Sequence, residues 1–389
     1  MIPYAKQIIT QKDISLINKV LKSDIITQGE QKRKFEKKLS KICKSKYAVS
    51  FNSATSALHM SCLALGVGKG DWVWTSTNSF VASANCALYC NAKIDLVDIN
   101  FKDFNLDIDL LEKKLVIAKK LNKLPKVVIP VHLGGLPPNL EKLNYLKKKY
   151  RFKIIEDASH SIGAKFKKSI VGSCKYSDIT VFSFHPVKII TTAEGGAALT
   201  NNKTIRDKLS ELGFHGITRN KTKFYYEKKG DWYYEQQALG YNYKINEIQT
   251  ALGYSQLDNL KKWVSRRNYI AKKYLYEFRN LPFYFQQVSK NIKSSYHLFV
   301  IVLKKNKLNI KRDDIFNKLK KNKIFANLHY IPIHRQPYYK KFSFKSKDFK
   351  KANYYFENSI SLPMYAGLKN KEQNKVIKII KNIFKDKKK

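Results

Sequence analysis

Through its first 245 positions the chain alternates short apolar runs with longer amphipathic stretches, and that alternation constrains the fold more than any other feature. Tyr47–Phe51, 72–75, 94–98, 127–131, Lys153–Asp157 and Ile179–Ser183 read as strands. Between them lie helical patterns. Positions 31–43 put Phe35, Leu39 and Ile42 on one face, and the stretch after Asn52-Ser53-Ala54-Thr55-Ser56 carries Leu58, Leu63 and Leu65. Further helices are expected over 79–89 and from about Asp107. Short strands separated by helices imply a mostly parallel sheet covered on both faces, the α/β class. Gly196–Thr200 reads as the strand that closes this sheet.

Near residue 245 the pattern changes. A long helical stretch over 246–278 is followed by an extended segment over 296–303, a helix over 313–322 and a last helix ending in a lysine tail expected to fray. The expected organisation is therefore a large domain over 1–245 and a smaller α+β domain over 246–389.

Composition excludes several classes. Hydrophobic residues make up 43% of the chain, too many for a disordered one. No run approaches the ~18 apolar residues of a membrane helix, and Met1–Lys6 lacks the apolar core of a signal peptide, so a cytoplasmic protein with no membrane partner is expected. Five cysteines with no CxxC pair read as reduced and structural, and no metal site is expected. The net charge of +45 admits two readings, nucleic-acid binding and compositional drift. Only nine of the 75 basic residues are Arg, and the lysines spread from end to end rather than forming a patch. Base readers rely on clustered Arg forks. Drift is the better account, although the surplus can still steer an anionic substrate.

Parallel sheets bind ligands at the carboxyl ends of their strands. Three such ends carry chemistry. Small hydroxyl residues after Phe51 open a helix, and free amides at a helix N-terminus suit an anion, though a plain N-cap explains them equally well. Asp157 ends a strand with His160 three residues on, where a carboxylate can hold a pyridinium nitrogen protonated or simply cap a helix. Neither GxGxxG after a strand nor GxxxxGK[ST] is present, which argues against dinucleotide and P-loop sites. The third end is the string from Phe182 through Ser183-Phe184-His185-Pro186-Val187-Lys188 to Thr191-Thr192-Ala193-Glu194-Gly195-Gly196. A lysine in so apolar a setting loses solvation, which frees its amine for imine formation.

Other strings stand in register with these: Thr27-Gln28-Gly29, Ser79-Phe80-Val81-Ala82-Ser83-Ala84-Asn85, Val131-His132-Leu133-Gly134-Gly135, Gly240-Tyr241-Asn242-Tyr243-Lys244, His329-Tyr330-Ile331-Pro332-Ile333-His334 and Ser361-Leu362-Pro363. In order and spacing the set resembles the DegT/DnrJ/StrS sugar aminotransferases, enzymes of the PLP-dependent transferase fold type I (aspartate aminotransferase-like). The resemblance implies pyridoxal 5′-phosphate (PLP) held by Lys188 as a Schiff base, with Lys188 then moving a proton between cofactor and sugar carbons. It implies that Asp157 pairs with the ring nitrogen, that His160 contacts the phenolic oxygen, and that Phe80 stacks on the ring. Ala54, Thr55 and Ser183 would hold the phosphate, joined by Asn242 from the partner of a homodimer. His329 and His334 would line the sugar pocket.

The wording looks most like the branch of pseudaminic acid biosynthesis, which implies amino transfer from L-glutamate to carbon 4 of a UDP-linked 4-keto-6-deoxy-N-acetylhexosamine. Transfer to carbon 3, or to a dTDP- or GDP-sugar, is the alternative, and a basic regulator without catalysis is a remote one. The chain departs from many relatives at Lys244, where they carry Arg, and at His185, where they carry Phe or Tyr. His59 and His297 read as packing or surface residues. The aromatic stretches 224–226 and 232–234 read either as a stacking platform for uracil or sugar, or as a loop packed on the partner.

Overall fold

A computed structural model describes residues 1–227, 230–304 and 310–386; the lysine tail lies outside them. Two N-terminal helices, α1 (Gln11–Leu21) and α2 (Glu30–Cys43), lead into β1 (Tyr47–Phe51) and α3 (Ala54–Ala64). Next come β2 (Trp72–Ser76), α4 (Ala82–Leu88), β3 (Lys93–Val97), α5 (Ile108–Lys120), β4 (Val127–Ile129), α6 (Leu140–Tyr150) and β5 (Lys153–Asp157). A small hairpin, β6 (Lys165–Phe166) and β7 (Ser169–Ile170), precedes β8 (Ile179–Ser183) and β9 (Gly196–Thr200).

Seven of these strands form one sheet in the order β1-β9-β8-β5-β4-β2-β3. Its contacts from β8 to β3 are parallel, whereas β9 runs antiparallel to both its neighbours. β9 does not close the sheet, as expected from sequence, but lies inside it. Alternation along the strands explains the two covered faces. Val73, Ile129, Ile155, Val181 and Ala198 share a core with α3 and α4, while Trp74, Val128 and Ile154 pack against α5 and α6. Phe35 and Leu39 of α2, both fully buried, cover Phe182, Ala197 and Leu199. Each such aromatic or leucine side chain contributes roughly 1.5–3 kcal/mol by leaving water.

The β9 position sets up the site. Phe51 pairs with Gly196, and Gly196 with Ser183, so three segments end in one row. The helix start after β1 crosses this row so closely that a Cβ on Gly196 would lie 2.4 Å from the Ala54 nitrogen and 2.6 Å from the Ser53 carbonyl carbon. Only glycine permits that crossing.

The remainder begins with α7 (Lys203–Leu212), the two-residue strands β10 (Ile217–Thr218) and β11 (Glu235–Gln236), α8 (Glu247–Gln256) and α9 (Leu260–Phe278). A second core holds β12 (Phe283–Phe285), β14 (Phe299–Leu303) and β15 (Ser359–Leu362) beneath α9, α10 (Arg312–Lys321) and α12 (Asn370–Asp386). Ile2 packs into that same core. The edge strand β13 (Ile292–Lys293) extends the β6–β7 hairpin, and α11 (Lys350–Asn358) leads into β15.

Three boundaries differ from the sequence reading for physical reasons. The strand over 127–131 stops at Ile129 because Pro130 has no N–H to donate. The helix over 79–89 starts at Ala82, after a tight turn in which the Ser83 amide bonds the Phe80 carbonyl. The extended segment over 296–303 joins a sheet only from Phe299, since Ser295 and Leu298 donate instead to the carbonyls of Gly135 and Gly134.

Candidate active site

At the carboxyl ends of the central strands lies a cavity of about 530 Å³. It gathers Ala54 and Thr55 from the start of α3, Phe80 from the turn before α4, Asp157 and His160 from β5 and beyond, Ser183 from β8, and Lys188. Ser53 caps α3 through the Ser56 amide, which leaves the first helical amides directed along the helix axis toward this space.

Lys188 sits on the excursion between β8 and β9, and both ends of that excursion are fastened. The Phe184 amide bonds the Gly195 carbonyl at 2.9 Å, the Thr192 amide bonds the Phe184 carbonyl at 3.0 Å, and Thr191 Oγ1 donates to the same carbonyl at 2.9 Å. Lys188 as a residue keeps some contact with the open cavity, while packing strips water from its amine. Burial pushes the amine down to about 8, opposed by the nearby Asp157 charge. Near neutral pH a useful fraction is therefore the free nucleophile.

Asp157, 5% exposed, is held from both sides. Its Oδ1 accepts from the Ser159 hydroxyl at 2.6 Å and the Ser159 amide at 3.2 Å, and its Oδ2 accepts from Ser83 Oγ at 2.6 Å. A carboxylate can only accept, so Ser83 donates to it and must accept in turn from Ser79 Oγ, 2.7 Å away. The result is a directed chain, Ser79 to Ser83 to Asp157. Hydrogen bonds to a charged group are worth roughly 1.5–3 kcal/mol. Ser83→Ala is therefore expected to lower kcat about 10- to 100-fold with the fold intact, measured by steady-state kinetics beside a thermal melt; an unchanged kcat would refute the role.

Opposite Lys188 stands a group of histidines. Burial pushes His160 well below its ordinary range, assisted by the Lys188 charge, and lowers His329 to about 3 for the same two reasons. His329 Nδ1 contacts Ser361 Oγ at 2.8 Å. His297 is not on the surface: it lines the cavity, with its ring centroid 4.3 Å from that of His160. The buried Arg267 guanidinium fixes this segment by donating to the carbonyls of Tyr296, His297 and Met364. Beneath the site the His132 and Glu156 side chains approach to 3.2 Å.

One expected residue lies elsewhere. His334 is outside the cavity lining, with Nδ1 on Thr77 Oγ1 at 2.6 Å, Nε2 on Asn353 Oδ1 at 3.0 Å and its ring stacked on Phe349. Asn242 is exposed and does not line the cavity of its own chain. Of the two departures, Lys244 places its amine 4.3 Å from the centre of the Phe214 ring. His185 stands at the cavity edge with Nε2 3.8 Å from Glu194 Oε1. His59 is a buried packing residue against Tyr241 and Tyr89. All five cysteines are buried free thiols. The aromatic stretch folds around Glu235, whose carboxylate accepts from the Tyr225 and Tyr226 amides and the Tyr233 hydroxyl, leaving Tyr225, Tyr226 and Trp232 exposed. Sequence reasoning missed Tyr4 and Asn327 as cavity residues, and no local pattern marks either. Among the described residues no cluster suited to a metal occurs, and no helix is long and apolar enough to cross a membrane.

These residues fit pyridoxal phosphate. Lys188 offers a desolvated amine, Asp157 an anionic acceptor, the start of α3 an anion seat, and Phe80 an apolar cover. The comparisons agree. A model of the DegT/DnrJ/EryC1/StrS aminotransferase family matches residues 7–381. The chain is 35% identical, over 96% of its length and 94% of the other's, to the UDP-4-amino-4,6-dideoxy-N-acetyl-beta-L-altrosamine transaminase of Campylobacter jejuni. It superposes on Helicobacter pylori PseC, an aminotransferase of pseudoaminic acid biosynthesis, with a TM-score of 0.88, 30% identity and 99% of each chain covered. On the PLP form of the putative sugar aminotransferase Spr1654 from Streptococcus pneumoniae the score is 0.89, with 29% identity and 99% of each chain covered. The chain belongs to the DegT/DnrJ/EryC1/StrS family and is a PLP-dependent sugar aminotransferase.

Proposed function

We propose that this aminotransferase moves an amino group from L-glutamate to carbon 4 of a UDP-linked 4-keto-6-deoxy-N-acetylhexosamine, a step of pseudaminic acid biosynthesis. The observation that carries the amino transfer is the Lys188 amine, desolvated and opening onto the same cavity as Asp157. The sugar is supported by the names of the two relatives above.

When bound, pyridoxal phosphate supplies an electron sink for charge developing at the carbon beside nitrogen. The chain's own groups do the rest. The start of α3 with Ser183 would bind the phosphate, Asp157 would accept a hydrogen bond from the ring nitrogen, and Phe80 would shield one ring face from water. Lys188 takes a proton at one carbon and returns it at another. Asn242, exposed and outside its own cavity, supports a homodimer in which it reaches the partner's phosphate site.

Incubation with glutamate and the 4-keto sugar nucleotide, followed by NMR of the product, tests the assignment. A new C–N bond at carbon 4 of the UDP-sugar is expected. Amination at carbon 3, or turnover only of dTDP- or GDP-sugars, overturns it.

A further inference from the structure

The direction of one hydrogen-bond chain leaves the hydroxyl proton of a cavity-lining tyrosine uncommitted within that chain. The Gly134 amide donates to His160 Nδ1 at 3.3 Å. A neutral imidazole carries one N–H, so the ring proton is assigned to Nε2. That nitrogen lies 2.9 Å from the Tyr330 hydroxyl oxygen. His160 therefore donates and Tyr330 accepts, and the hydroxyl proton of Tyr330 is not used in this contact. Tyr330 lines the cavity, beside Phe80 at a ring-centre distance of 6.0 Å.

We infer that Tyr330 is the hydroxyl donor of this site, set in place by His160 and aimed at an electron-rich oxygen of the bound cofactor or of the sugar. The inference rests on the sugar-aminotransferase assignment, not on which carbon is aminated.

Three features hold the donor in this state. Gly134 has φ of 66°, which presents its N–H to the imidazole, and a Cβ there would fall 2.9 Å from Gln286 Oε1. His160 is fixed by Ser295 Oγ donating to its carbonyl at 2.9 Å and by the neighbouring His297 ring. Burial, the largest influence on each, keeps His160 neutral and pushes the Tyr330 phenol above its ordinary value, so neither group changes charge near neutral pH. Both His160 nitrogens have partners in this structure, and Tyr330 stands at the end of the chain.

Tyr330→Phe removes the hydroxyl, and with it both the donor and the oxygen that accepts from His160 Nε2. It is compared with wild type in visible spectrum, cofactor dissociation constant, and the two half-reactions run separately, glutamate with the PLP form and keto sugar with the PMP form. Loss of one preorganised donor typically costs about 10²- to 10³-fold. If the acceptor is a cofactor oxygen, the spectrum shifts, cofactor binding weakens and both half-reactions slow. If it is a sugar oxygen, the spectrum and glutamate half-reaction match wild type and only the sugar half-reaction slows. A Tyr330→Phe protein equal to wild type in all four readouts overturns the inference. His160→Gln, which can still donate to Tyr330, and His160→Leu, which cannot, serve if Tyr330→Phe does not fold: Gln retaining more activity than Leu supports the chain, and equal values overturn it. Failure of the carbon-4 assignment appears separately, as a wild-type product aminated elsewhere.

Discussion

Lys188→Ala is expected to fold, to bind pyridoxal phosphate without covalent attachment, and to lose at least about 10⁴-fold in transamination, because the proposed mechanism uses one side chain as both nucleophile and proton carrier. Borohydride treatment should fix the cofactor mass on the Lys188 peptide of the wild type and on no peptide of the variant. A variant retaining covalent cofactor would place the chemistry on another lysine. Stability supplies an independent check on the apoprotein. Lys188 titrates near 8 in the folded chain against an ordinary value of 10.5, so between those pH values the unfolded chain binds the proton more often. Stability from this group therefore rises with pH across that window and is lost again as pH falls toward 8. Thermal melts of the variant should lack that rise.

Asp157→Asn should cost about 10³-fold in both half-reactions, within the range expected for a group acting in the transition state. The substitution keeps the size of the side chain. It replaces one accepting oxygen with an amide nitrogen, which then opposes either Ser83 Oγ or the Ser159 donors and leaves no anion for the ring nitrogen. Stopped-flow measurement of each half-reaction decides; a loss confined to the sugar half-reaction would make Asp157 a sugar contact instead. Asp157→Glu should not restore the rate, because the longer chain cannot keep the Ser83 and Ser159 bonds together.

Much of this site was legible because its chemistry sits at strand ends. Ser183, Asp157 and the turn after Phe51 follow apolar runs that the sequence marks clearly, and the Lys188 string is distinctive as a whole. What remained hidden depends on segments distant in the chain. Tyr4 and Asn327 reach the cavity from outside the central sheet, and the place of His297 follows from the bonds of residues 295–298 to the Gly134–Gly135 turn. His334, in the same short string as His329, turns away because Thr77 and Asn353 satisfy both its nitrogens. Spacing alone cannot separate the two. The direction of the Ser79–Ser83–Asp157 and Gly134–His160–Tyr330 chains is likewise invisible in the sequence, since it follows from which atom faces which.

The inserted strand β9 also has a consequence for the order of folding. Among the described residues β1 pairs within the central sheet with β9 alone, with Tyr47 opposite Thr200, so the helix start proposed to seat the cofactor's phosphate is placed by residues synthesised long after it. A nascent chain that has emerged only as far as β8 already possesses Asp157 and most of the parallel core, yet cannot seat the phosphate. Contacts so distant in sequence form late and slowly. Capture of the cofactor thus becomes a signal that this long-range strand pairing has formed.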